Sequence, residues 1–415
     1  MLEVPALGAE VRRKHMNWIH LPVRDHSIPN KAIEQDWQDL SEGIRVTLRS
    51  GFLVVFHCRG GLGRAGTMAA RTLVELGCFE PDQAIREVRR VRAGAIEADE
   101  QEGFVQRGQP VLETAPDVSP LAIEDRAIGA LLGLAVGDAV GTTLEFTARD
   151  SSDLILDMVG GGPFSLEPGQ WTDDTAMALA LADSLLKNDD LDERDLMGRF
   201  VEWWQGGRYS CTGRCFDIGI TTRRALERWL RTNDLNSGST DPSTAGNGSL
   251  MRLAPVAIRH WKDRQKLRDV AARQSRTTHA APEAIDACKG FADMLADAIA
   301  GKPRSEVLSC SGKGLSDIIS SIMAGSWRGK HRSQIRSSGY VAHTLEAAIW
   351  SVARTTDFKS AVLLAANLGE DADTTAAVAG QLAGALYGAS GIPEVWKQRV
   401  AWSDQIQEFA RKLAA

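Results

Sequence analysis

No stretch of about 18 consecutive apolar residues occurs in the 415-residue chain, so no segment reads as a membrane-spanning helix and no membrane partner is expected. The opening Met1-Leu2-Glu3-Val4-Pro5 lacks a basic region followed by an apolar run. No export signal is expected there, and the cytoplasm is the expected compartment. A basic stripe is missing as well. Lys+Arg 48 against Asp+Glu 54 gives a formal charge of −6 with both signs interspersed, so no nucleic-acid patch is expected. A phosphate-rich partner would then be a small ligand held locally. The six cysteines (Cys58, Cys78, Cys211, Cys215, Cys288 and Cys310) are scattered, which points to free thiols instead of a disulfide framework. Cys211 and Cys215 lie close together, but no second pair or nearby histidine completes a zinc site. No repeat of fixed period is visible.

A chain of this length exceeds one ordinary core, and two domains are expected. Composition shifts between Gly108 and Pro120, where three prolines fall in a stretch without apolar period. The expected division is a first domain over 1–110, a linker over 111–122 and a second domain over 123–415. Before the linker stand an apolar, strand-like run, Phe52 to His57, and two helical segments beginning near Gly63 and Pro81, an α/β alternation. After it, the long segments read as helix: Asp125 to Val140, Asp173 to Leu186, Glu193 to Gln205, Gly219 to Arg231, Pro282 to Ile299, Val341 to Thr355, Phe358 to Ala366 and Thr374 to Tyr387. The expected fold is therefore multidomain, an α/β amino-terminal domain followed by an all-α domain.

The ends of the second domain echo each other. Gly129, Gly133, Gly137 and Gly141 recur every four residues, as do Gly380, Gly384 and Gly388. Each series lays glycine along one helix face at a propensity cost of roughly 1 kcal/mol per residue, which close packing must offset. The first and last helices are therefore expected to pack closely. A membrane reading of these stripes is set aside because Asp138 interrupts the first and neither is long enough.

Two acidic blocks open helices. Thr172 reads as an N-cap, with Asp173 and Asp174 in the first turn after it. Capping and carboxylate–dipole attraction, about 0.3–1 kcal/mol per charge, would explain one such block. A second helix opens with Asp371, Asp373 and Thr374. If the glycine faces bring both starts into one crevice, the carboxylates repel and hard divalent cations relieve them. Oxygen-only ligands favour Mg²⁺ or Mn²⁺ over zinc.

From about Ile128 to Trp396 the chain resembles the ADP-ribosylglycohydrolase family, which includes the dinitrogenase-reductase-activating glycohydrolases. Gly129 through Glu145 is similar to its opening helix and metal-gating glutamate. Thr172-Asp173-Asp174 and Asp371-x-Asp373-Thr374 resemble the halves of a binuclear metal site holding two Mg²⁺ or Mn²⁺. Gly246-Asn247-Gly248-Ser249 resembles the loop around the ADP-ribose diphosphate and proximal ribose, and Thr278-His279-Ala280 the ligand-contact block that follows. A Gly-Asn-Gly turn also suits phosphate on its own terms, because its backbone amides can hold an anion. The resemblance implies hydrolysis at the ribose carbon joining ADP-ribose to a protein side chain or related conjugate, with Asp173 and Asp174 indispensable and Glu145 and His279 at the substrate. Whether the bond runs to arginine, serine or a small molecule stays open.

In the first domain, Cys58 precedes Arg64 in a glycine-rich loop between an apolar run and a helix start. Such a loop aims amides and a guanidinium at phosphate while the helix dipole lowers the thiol pKa. Residues 16 to 107 resemble cysteine-dependent dual-specificity phosphatases of the cyclin-dependent-kinase-associated type. By that resemblance Cys58 is the nucleophile, Arg64 clamps the phosphoryl oxygens and Asp25 protonates the leaving oxygen of a phosphorylated substrate. Two departures stand out. Ala65 replaces the Ser or Thr that assists thiolate release, so slow phosphoenzyme breakdown is expected. The lead before Cys58 is short, with only two strand-like segments, near Asn17–Val23 and Phe52–Phe56. Two other readings stay open: an ADP-ribose reader without turnover, and a phosphatase recruited by an ADP-ribose-binding domain. The fusion also suggests one substrate carrying both ADP-ribose and phosphate.

Overall fold

The computed structural model describes residues 6–14 and 16–415, so the opening Met1–Pro5 lies outside it. The chain divides into two compact units, Met1–Glu113 and Thr114–Ala415.

The first unit holds helices α1 (Leu7–Arg13), α2 (Lys31–Arg49), α3 (Gly63–Glu75), α4 (Pro81–Val91) and α5 (Asp99–Gln106). Both helix starts anticipated from the sequence, at Gly63 and Pro81, are present. The 19-residue α2 was not anticipated, although its signals are legible. Asn30 caps it by accepting from the Ile33 amide at 3.0 Å, and Trp37, Ile44 and Leu48 recur at helical spacing. Glu75, buried in α3, ties these helices together: it takes the Arg45 guanidinium at 2.7 Å, Arg71 Nε at 2.8 Å and Trp37 Nε1 at 2.9 Å.

Among the described residues no β-ladder is assigned in this unit, so the structure shows its helices and not the expected α/β character. The run from Phe52 to Phe56 keeps the alternation of a strand. Phe52 is buried and Val54 and Phe56 pack on Trp37, Ile44, Met68 and Phe104, while Leu53 and Val55 are 92% and 83% exposed. Alternation reports a half-buried extended segment; a ladder also needs a paired neighbouring strand, and among the described residues neither this run nor the one near Asn17–Val23 is assigned to one.

The second unit is helical: α6 (Pro120–Gly141), α7 (Asp173–Lys187), α8 (Glu193–Gly206), α9 (Ile220–Thr232), α10 (Ala254–His260), α11 (Arg264–Thr278), α12 (Pro282–Ile299), α13 (Arg304–Val307), α14 (Asp317–Met323), α15 (Val341–Ala353), α16 (Phe358–Ala366), α17 (Ala372–Tyr387), α18 (Glu394–Arg399) and α19 (Ser403–Ala414). Aspartates cap several of them: Asp192 accepts from the Asp195 amide, Asp263 from Lys266 and Asp357 from Ser360, all near 3 Å. Ser119 caps α6, which therefore begins within the stretch assigned to the linker.

Helices α6 and α17 form the axis of this unit and meet glycine to glycine. A Cβ built on Gly129, Gly133, Gly137 or Gly141 would fall closer than 3.0 Å to the carbonyl oxygens of Gly384, Gly380, Ala376 and Ala372 in turn. Side chains are absent there because the two backbones fill the space. One expectation needs correcting. With its following turn, α6 spans Pro120–Leu144 and is long and apolar enough to cross a membrane. It extends beyond the Asp125–Val140 segment read from the sequence at both ends, and every residue from Arg126 to Gly141 is buried in the bundle.

Candidate functional site

The packing of α6 on α17 sets the site. At the carboxyl end of α6, Gly141 lies so close to Ala372 and Asp373 that a Cβ would collide with their backbone. That approach brings the start of α17 beside the turn carrying Glu145. Glu145 Oε2 accepts from the amides of Ala372 at 2.8 Å and Asp373 at 3.2 Å, capping α17 from another segment. Carboxylate oxygens of Glu145, Asp371 and Asp373 come within 4.8 Å of one another.

The α7 acids arrive by a second cross-chain cap. Thr172 occupies the N-cap position, but its side chain does not cap, contrary to the sequence reading. Its hydroxyl donates to Asp138 at 2.9 Å and to Asp373 at 3.1 Å. The capping group is Asp138, fully buried in α6, which accepts from the amides of Thr172 (2.9 Å) and Thr175 (3.0 Å) and from the Thr175 hydroxyl (2.6 Å). Thr374 Oγ1 donates to Asp174 Oδ2 at 3.3 Å, linking the two acidic blocks directly. The residues expected in one crevice, Thr172, Asp173, Asp174, Asp371, Asp373 and Thr374, are thus assembled, although the chain separates the blocks by about two hundred positions.

Burial and mutual repulsion dominate the electrostatics. Asp173 and Asp174 are held well above the usual carboxylate range by burial and by the charge of Asp373. The same two causes push Glu145 to about 12 and Asp138 and Asp371 to about 7. Asp174 Oδ1 is buried without a hydrogen-bond partner. An all-oxygen set with an orphaned carboxylate oxygen and clustered negative charge fits a hard divalent cation.

The structure adds Asp217, which sequence reasoning missed. It sits in the loop between α8 and α9 in a left-handed conformation, φ +59°. Burial, then the charges of Asp173 and Asp373, push it to about 11. It is a lone acid two residues ahead of the helix start expected at Gly219, with no second acid beside it, and the strained φ is visible only in three dimensions.

The glycine loop joins the site through Asn247, whose Nδ2 donates to Asp371 Oδ2 at 2.9 Å and to Thr344 Oγ1 at 2.8 Å. Within the turn, the Asn247 carbonyl accepts from the amides of Leu250 and Met251, and the Asn247 amide donates to Gly339. None of these bonds uses the amides of Gly248 and Ser249. The Ser249 hydroxyl points inward to Ser275 at 2.8 Å, and the residue is fully buried. His279 is buried too. Its ring fills the space beneath Gly246 and Gly248, where added Cβ atoms would lie 3.3 and 2.7 Å from it. Burial and the nearby Arg252 hold the ring down to about 3, hence neutral. Its place beneath the loop is that of a support.

In the first unit, Cys58 lies at the start of the loop leading into α3. The Gly61 amide donates to Sγ at 3.2 Å. Burial pushes the thiol up, but the amides of Ala65, Gly61, Leu62 and Gly60 outweigh it and hold the thiol below its ordinary value. Arg64 reaches Asp25 Oδ1 at 2.9 Å and the Val23 carbonyl at 3.0 Å. Of the three residues singled out in the sequence, Arg64 and Asp25 are paired with each other, and Cys58 is held by the amides of its own loop.

Comparisons with known proteins agree with both halves. Residues 3–105 match the family described as the DSP-PTPase phosphatase domain of Swiss Army Knife protein. Among curated relatives, ADP-ribosylarginine hydrolase Tri1 of Pseudomonas putida (strain GB-1) is 51% identical over 298 residues, covering 71% of this chain and 80% of that protein. ADP-ribosyl-[dinitrogen reductase] glycohydrolase of Rhodospirillum rubrum is 34% identical over 285 residues, covering 67% and 91%. A solved structure titled ADP-ribosylglycohydrolase-related protein complex aligns with TM-score 0.64 and 39% identity over 71% of this chain and 98% of that one. With residues 119–415 matching the ADP-ribosylglycohydrolase family itself, the chain belongs to that family and carries a dual-specificity-type phosphatase domain ahead of it.

Proposed function

We propose that the helical domain hydrolyses the N-glycosidic bond joining ADP-ribose to an arginine side chain of a protein, in the cytoplasm. The convergence of two acidic helix starts on one crevice carries this reading. The arginine linkage is taken from the relatives in Pseudomonas putida and Serratia proteamaculans, both named ADP-ribosylarginine hydrolase, at 51% and 46% identity. The six unpaired cysteines are in keeping with a reducing compartment.

Thr172, Asp173, Asp174, Asp371, Asp373 and Thr374 would hold two Mg²⁺ or Mn²⁺ ions, with Glu145 at their edge. When bound, such ions orient the ribose hydroxyls and oppose the cluster's negative charge. The chain's own residues do the rest. The glycine loop would lie along the diphosphate, and Asn247 braces Asp371. A cluster carboxylate accepts a proton from water as the water oxygen bonds to the ribose C1. The C1–N bond breaks and the departing guanidine nitrogen takes up a proton.

Incubation with arginine-linked and serine-linked ADP-ribosyl peptides tests this. ADP-ribose should appear from the arginine-linked peptide, stop on addition of a chelator and resume with excess Mg²⁺ or Mn²⁺. Release that continues at full rate in chelator would remove the cation from the scheme, and release from serine alone would remove the linkage.

The Cys58 thiol, lowered by the amides of its loop, together with the Arg64–Asp25 pair at the start of the helix that follows, favours a second activity, cysteine-dependent phosphatase. The thiolate attacks phosphorus, and Asp25 supplies the proton to the departing oxygen. Cys58→Ser is expected to lower phosphate release from a small aryl phosphate at least about a thousandfold, since a hydroxyl is a far weaker nucleophile at neutral pH. Activity surviving the substitution would exclude Cys58 as nucleophile.

A further inference from the structure

Three phenylalanines stand beside the acidic crevice in a continuous arc that neither metal nor phosphate binding uses. Phe146 follows Glu145 directly, Phe216 precedes Asp217 directly, and Phe164 lies between them. The ring centroids of Phe146 and Phe164 are 6.2 Å apart and those of Phe164 and Phe216 5.2 Å. Phe146 is 69% exposed, and the other two are half-buried. At each ring the backbone is held left-handed without glycine: Phe146 has φ +58°, Ser165, next to Phe164, φ +54°, and Asp217, next to Phe216, φ +59°. L-residues adopt that conformation only when the surroundings enforce it, and such residues gather at ligand sites.

The surroundings are rigid. The Phe146 amide donates to the Glu370 carbonyl, and the Glu370 amide to Thr147, each at 2.8 Å. Thr143 Oγ1 donates to the Gly160 carbonyl at 2.9 Å, and Gly162 packs so tightly on Thr142 that a Cβ could not be placed there. These contacts fix the backbone at Phe146 and the turn that leads to Phe164.

We propose that this arc is the leaving-group platform, on which a planar guanidinium stacks while Asp217 and Glu145 face its N–H groups. Aromatic faces attract cations, and the arc runs from the neighbour of Glu145 to the neighbour of Asp217, beside the acids where the scissile bond would lie, so it suits the arginine side of that bond. The proposal rests on the arginine-linked reading above and extends it to the residues that select the leaving group.

Phe164→Leu keeps apolar bulk and removes the central π-face; Phe164→Trp restores one. For F164L, kcat/KM on an arginine-linked peptide should fall about tenfold, and inhibition by free arginine should weaken by a similar factor. F164W should stay close to wild type. The Kd for ADP-ribose, measured by calorimetry, should be unchanged in both variants, which also reports an intact fold. Equal loss of ADP-ribose affinity, or F164L indistinguishable from wild type on an arginine-linked peptide that wild type cleaves, would overturn the platform. Wild-type protein that cleaves no arginine-linked peptide would instead overturn the linkage on which it rests.

Discussion

Asp173→Ala and Asp373→Ala should each reduce ADP-ribose release at least about a thousandfold at saturating Mg²⁺, because loss of an organising carboxylate forfeits several kcal/mol of transition-state stabilisation. The two variants probe opposite helix starts. Asp373 accepts the Thr172 hydroxyl and stands within the group formed with Glu145 and Asp371; Asp173 opens α7. Neither loss should unfold the protein. Each removes one acid from a crowded, buried set, and its melting temperature without added metal should hold or rise. The decisive measurement is single-turnover release of ADP-ribose together with the melting curve. Full turnover by either variant would dismiss a two-block site, leaving the acids as helix caps.

The second large effect falls far from the chemistry. Gly384→Ala places a methyl against the Gly129 backbone at the closest approach of α6 and α17. The clash is with backbone, which has no rotamer to yield, so the helices must separate. The cost is expected at roughly 3–5 kcal/mol, above the usual overpacking penalty. In a unit of this size that lowers the melting temperature by about 10 °C or more. Gly198→Ala in α8 is the paired control. Nothing lies within 4 Å of its added Cβ, and the change should be neutral or stabilise by up to about 1 kcal/mol through helix propensity. Equal melting temperatures for the two variants would show that the glycine faces are not in contact in solution.

These two results bear on different parts of what could be read in advance. The glycine repeat was legible because a helix turns every 3.6 residues, so a four-residue spacing becomes a face; the structure puts that face backbone against backbone. The acidic blocks were legible because hydroxyl and carboxyl residues at helix starts form a local pattern. Their capping was misjudged for the same reason. Thr172 has the composition and backbone of an N-cap, yet its hydroxyl is drawn to Asp138 and Asp373, both remote in sequence. In the first unit, the alternation of Phe52 to Phe56 was read as a strand. Alternation reports which side is buried and carries no information about a partner edge.

His279 marks a further limit. The order of motifs placed it near the ligand loop, and it is there, but beneath the loop and neutral. Ser249 likewise turns its hydroxyl into the core. The order of the blocks along the chain ranks residues as near a site without saying which atoms face it.

By itself the sequence determined the local chemistry of this protein: two acid-opened helices, two glycine faces and a cysteine–arginine loop, all encoded in spacings of a few residues. Only the tertiary structure decided that Asp138 and Glu145 cap helices across the chain, that Asp217 joins the acids, and that three phenylalanines line up beside them. Those contacts join residues tens to hundreds of positions apart, and no local periodicity encodes them. They exist because α6 and α17 approach along their glycine faces until backbone meets backbone, which sets the end of α6 beside the start of α17.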